Sequence, residues 1–138
     1  LPPAIIAEGR LSDLQLEGVL YACQRHQDIL PGQQQRRAGF FLGDSAGMGK
    51  GRQIAGIIID SIARGRKRHL WVSSSTDLVM DARRDLEDLG CPGVGVIDGC
   101  GALDKAGKKG FGVGADMQVG VMFFLLPLLY SSNPSTCR

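Results

Sequence analysis

Residues 38–52 read AGFFLGDSAGMGKGR, an apolar run that breaks into glycines and a lysine and then passes into an isoleucine-rich helical pattern. A phosphate-cradling loop needs that order. A strand feeds a sharp turn, the turn opens a helix, and the helix presents free amides and the positive end of its dipole. Gly43 and Asp44 open the turn, Ser45, Ala46 and Met48 carry it, and Gly47 and Gly49 give its backbone freedom. Lys50 stands where a lysine reaches the β- and γ-phosphates of a nucleotide. The usual motif then has Ser or Thr to hold Mg²⁺. Here that position is Gly51, followed by Arg52. Either Mg²⁺ is held by water and other groups, or phosphate binding leans on Arg52. The plain alternative is a glycine turn capping a helix with Lys50 exposed; the agreement of strand, loop, lysine and helix favours phosphate.

Working outward, residues 38–42 predict a buried strand. Ile54, Ala55, Ile57, Ile58, Ile59 and Ile62 predict a helix that is apolar over most of its circumference, stopped at Gly65. Residues 70–73 predict a second strand, and Leu78, Val79, Ala82, Leu86 and Leu89 line a helix ended by Gly90 and Pro92. Residues 94–97 and 118–126 predict two more strands. Upstream, Ser12 and Gln15 fit a capping box. Leu16, Val19, Leu20 and Cys23 form one helical stripe, with Pro31 and Gly32 as its stop. Strand and helix in alternation predict an α/β fold, a mostly parallel sheet covered by helices.

The 138 residues suit one domain, and a net charge of +2 points to no partner class. The expected division is a core over about 11–98, a Gly- and Lys-rich linker over 99–117, an apolar strand at 118–126 and a frayed tail at 131–138. Cys23, Cys91, Cys100 and Cys137 match no zinc-ligand spacing and read as reduced structural thiols. The apolar stretch 119–130 is broken by Gly120 and Pro127 and is too short to span a bilayer, so no membrane is expected. The first residue is Leu1 rather than Met, which predicts a fragment.

The Gly-Lys-Gly-Arg ending of the loop narrows the family. Residues 11–26 (LSDLQLEGVLYACQRH), 37–60 (RAGFFLGDSAGMGKGRQIAGIIID), 65–78 (GRKRHLWVSSSTDL) and 81–90 (DARRDLEDLG) together resemble the N-terminal ATPase region of the strawberry notch family, helicase-like proteins related to superfamily 2. The resemblance implies an incomplete first RecA-like domain in a three-layer P-loop fold. It implies ATP and Mg²⁺ as cofactors, and a second RecA-like domain as a missing partner. It makes Gly47, Gly49, Lys50, Gly51 and Arg52 the nucleotide-binding motif, and it sets Gln15 where related helicases read adenine. The capping box alone is also a sufficient reason for Gln15. Ser73, Ser74, Ser75 and Thr76 fall where related helicases touch a nucleic-acid backbone; as small hydroxyl residues they serve equally to cap the next helix.

The acidic Asp-Glu box that would bind Mg²⁺ and activate water is not found; Asp98 is followed by Gly99 and reads as a turn. The expected function is therefore the ATP-binding part of a strawberry notch-like helicase or ATPase acting in nucleic-acid- or chromatin-linked transcription regulation, with negligible turnover of its own. The alternative is a non-hydrolysing nucleotide-binding regulatory or interaction module. A small P-loop kinase is disfavoured by Gly51. A nuclear location is expected in a eukaryote, and a cytoplasmic one otherwise.

Overall fold

The computed structural model describes residues 1–32, 36–66, 68–73, 75, 77–98 and 118–123. In chain order the elements are α1 (Pro3–Ala7), α2 (Asp13–Arg25), α3 (Lys50–Ala63), β1 (Arg68–Ser73), α4 (Leu78–Asp88), β2 (Gly95–Asp98) and β3 (Gln118–Phe123). The start of α2 is set by the expected capping box. The Gln15 amide donates to Ser12 Oγ at 3.4 Å, and the Ser12 amide donates to Gln15 Oε1 at 3.2 Å. The helix stops at Arg25, well before Pro31, because the chain turns there: Gln27 N–H bonds to Gln24 O and Asp28 N–H to Arg25 O. Gly65 and Gly90 follow α3 and α4 with φ of 84° and 87°, the left-handed conformation that lets a helix close on its own carbonyls. The short helix α1 has no counterpart in the sequence reading; its five residues are too few to show a period.

The expectation of a three-layer, RecA-like parallel-sheet domain is not met. Helices predominate, with 13, 14 and 11 residues in α2, α3 and α4 against strands of 6, 4 and 6 residues. The strand expected to feed the phosphate loop does not form. Residues 38–42 carry no ladder, and only an isolated antiparallel bridge, Ile29 to Arg37, lies before them. A strand needs a neighbour for its amides and carbonyls. Among the described residues this run is held only at its first residue, where the Ala38 amide donates to Asp28 O at 3.0 Å, and Phe41 stands 87% exposed instead of in a core. The strand pairing that exists lies elsewhere: β3 pairs in parallel with β1 (Arg68 opposite Gln118) and with β2 (Gly95 opposite Gln118). Leu70 and Val72 of β1 are both exposed, so among the described residues nothing covers that face as helices cover a RecA-like sheet.

The core is helical in its make-up. Ile58 and Ile59 of α3 meet Val19 and Cys23 of α2 and Val79 and Leu86 of α4, with Ile5, Leu11, Leu89 and Val94 closing the ends. Removing a side chain the size of Ile59 or Leu86 from water contributes on the order of 1.5–3 kcal/mol. The α2–α3 approach is close enough that a Cβ on Gly56 would sit 3.0 Å from Val19 Cγ2. Burial pushes the Cys23 thiol up to about 11, with the Asp60 carboxylate adding to it, so this cysteine behaves as a small apolar side chain. Among the described residues no helix is long and apolar enough to cross a membrane.

Candidate phosphate-binding site

Helix α3 begins at Lys50, and its N-cap is Gly49, with φ 74° and no side-chain hydrogen bond to the first turn. No acidic residue occupies that turn. Helix α2 satisfies its first amides with Ser12, whereas α3 leaves its own open to a ligand. The left-handed conformations of Gly47 and Gly49 turn the chain into the helix. Lys50 folds back over the loop, and its Nζ donates to the carbonyls of Asp44 and Ser45 at 2.8 and 2.9 Å. An ammonium held by two exposed carbonyls is easily transferred to a phosphate, which is a stronger, charged acceptor.

Gln15 makes the expected capping box, and its side chain also reaches the phosphate loop. Its Oε1 completes the α2 cap while its Nε2 donates to Met48 O at 3.3 Å, tying the start of α2 to the tip of the loop. The space is tight: a Cβ on Gly49 would collide with the Gln15 amide. At the other end of the loop Gln53, fully buried on α3, donates to Asp44 Oδ2 at 2.6 Å. Gln53 Oε1 is left without a partner and lies where a side chain on Gly18 would be. Gln53 was not singled out by the sequence; its place three residues beyond Lys50 on the helix is the only signal.

An open cleft of about 1000 Å³ runs along this surface. Gln15 and residues 47–52 form one wall; Trp71, Ser73, Asp81, Arg84 and Asp85 form the other. Gly43 and Asp44 instead border a smaller hollow of about 240 Å³ with Tyr21 and Phe40, while Ser45 and Ala46 are exposed. Arg52 lines the cleft, but its guanidinium is paired with Asp88 on α4. Of the hydroxyl loop, Ser73 reaches the cleft and Ser75 Oγ accepts from the Asp77 amide at 3.3 Å at the head of α4. Ser74 and Thr76 lie outside the described residues, as does Gly99 beside Asp98. Among the described residues no group of three or more acidic, His or Cys side chains is placed to hold a metal ion.

The sequence comparison bears on the same loop. A family model described as "P-loop containing NTP hydrolase pore-1" matches residues 1–137. The chain belongs to that family. Its relatives include strawberry notch homolog 2 of Mus musculus, 57% identical over 86 residues, or 62% of this chain and 6% of that protein. The strawberry notch homolog of Caenorhabditis elegans is 41% identical over 144 aligned positions, covering 100% of this chain and 7% of the relative. Protein FORGETTER 1 of Arabidopsis thaliana is 55% identical over 87 residues, 62% of this chain and 6% of that protein. The chain thus spans less than a tenth of the length of these relatives. No solved structure matches it. The resemblance to strawberry notch proteins read from residues 11–90 is borne out, and the chain is a P-loop, helicase-related module.

Proposed function

We propose that this chain binds ATP with Mg²⁺ through the loop of residues 43–52, as the nucleotide-binding part of a strawberry notch-like ATPase. The observation that carries the reading is the uncapped N-terminus of α3, opening on Gly49 with Lys50 beside it and facing a cleft large enough for a nucleotide. The amides of Gly49, Lys50 and Gly51 supply donors to the phosphates. Lys50 exchanges two carbonyls for a phosphate oxygen, and Gln15 holds the loop tip in place from α2. Mg²⁺, when bound, would screen the charge of the triphosphate. The adjacent Asp-Glu pair of a hydrolytic site is not among the 138 residues, so the activity assigned to this chain is binding, with negligible turnover. A role in nucleic-acid- or chromatin-linked transcription regulation is what the resemblance to the strawberry notch family implies, and Ser73 is the cleft residue through which a nucleic-acid backbone would be met.

The test is displacement of a fluorescent ADP analogue by ATP. Lys50→Ala is expected to weaken ATP at least tenfold, about 1.4 kcal/mol, with the helical circular-dichroism signal unchanged. Equal affinity in the two proteins would refute the assignment.

A further inference from the structure

The loop departs from the usual motif at Gly51, and the structure shows what fills the space. A Cβ built on Gly51 would collide with Oδ2 of Asp85, a residue of the neighbouring helix α4. A carboxylate oxygen therefore lies where the hydroxyl-bearing side chain of an ordinary phosphate loop would be. Asp85 is only 6% exposed, yet it lines the cleft. Its Oδ1 accepts from Arg84 Nη2 at 3.3 Å, and Arg84 is itself anchored on Asp81 at 2.8 Å. Oδ2 has no hydrogen-bond partner among the described residues. Asp85 is thus a carboxylate more than nine-tenths buried, ion-paired through one oxygen with Arg84 and presenting the other beside the first turn of α3.

We infer that Asp85 is the protein ligand for the divalent cation of the bound nucleotide, taking over the task of the absent Ser or Thr. This rests on the nucleotide-binding reading above. Mg²⁺ accepts such a site, since it keeps several waters and is commonly held by one or two carboxylates together with substrate phosphates. The arrangement also gives the carboxylate a selective role. Without metal Asp85 repels the triphosphate, and with metal it attracts the complex, so binding is coupled to the cation more strongly than a neutral hydroxyl would couple it. Gly51 is then required, because any side chain there would displace the ligand.

The experiment measures ATP affinity of the whole chain in excess Mg²⁺ and in EDTA. Wild type is expected to bind at least tenfold tighter with Mg²⁺. Asp85→Asn is expected to lose that gain while binding metal-free ATP at least as well as wild type, which also shows that the variant is folded. The double variant Gly51→Thr with Asp85→Ala is expected to recover part of the metal effect through the hydroxyl. Independently of any variant, wild type loaded with Mn²⁺ and ADP and carrying ¹³C-aspartate is expected to show a carboxylate carbon coupled to the manganese in electron–nuclear double resonance. Asp85→Asn with the full metal effect, or manganese coupled only to phosphorus and water, overturns the assignment and leaves nucleotide binding intact. Wild type that binds no nucleotide in either condition overturns both.

Discussion

At the scale of single residues, the loop glycines are unequal. Gly47 and Gly49 both adopt positive φ, which costs another residue on the order of 1–2 kcal/mol. A side chain on Gly47 would meet open space, whereas one on Gly49 would strike the Gln15 amide and break its bond to Met48 O. Gly49→Ala is therefore expected to lose more stability than Gly47→Ala in denaturant titrations, by about 1 kcal/mol for the lost hydrogen bond and the steric conflict. Equal losses would show that the Gln15 link contributes nothing. The helix start at Gly49 and Lys50 was legible because it follows from residue types at a fixed spacing. Asp85 and Gln53 were not. Their importance depends on which helices meet, and no local pattern reports that.

At the scale of elements, the helices were legible and the strand before the loop was misread. Caps and apolar stripes placed α2, α3 and α4 closely, since both signals are local. Residues 38–42 are apolar enough for a strand, but strand formation depends on a partner supplied from elsewhere in the chain, and among the described residues only the Ala38 amide finds one, at Asp28 O. The C-terminal end of α2 carries a pH response. A histidine at a helix C-terminus is ordinarily favoured as a cation. Here burial of His26, and then Arg66 and Arg37 nearby, hold its pKa below the usual 6.5. The unfolded chain thus takes up that proton more readily than the fold does. Stability is expected to be level above about pH 6.5 and to fall below it, and His26→Gln is expected to remove this first decline. Asp60 adds a second decline at lower pH. Burial would raise its pKa, but the hydrogen bonds from Arg64, the Leu1 ammonium and Cys23 together outweigh this, so its contribution is lost only as pH drops beneath the ordinary 3.8. Identical pH profiles for wild type and His26→Gln would contradict the histidine's part.

At the scale of the whole molecule, a helical core fixes the site. Helix α3 is gripped by α2 and α4, and each neighbour sends one side chain to the loop or to the first turn: Gln15 from α2 and Asp85 from α4. The family was legible from residues 11–90 because their blocks keep the order of strawberry notch proteins. The three-layer architecture inferred from it was not, because a layered sheet is a property of pairings between distant segments rather than of any one block.

The central claim is that the amides opening α3 hold a nucleotide's phosphates. It is tested most directly by ¹H–¹⁵N spectra of the chain titrated with ATP and Mg²⁺. The account predicts saturable shifts at Gly47, Gly49, Lys50 and Gly51, reproduced in part by pyrophosphate. Shifts confined to other residues, or none at millimolar ATP, would contradict it.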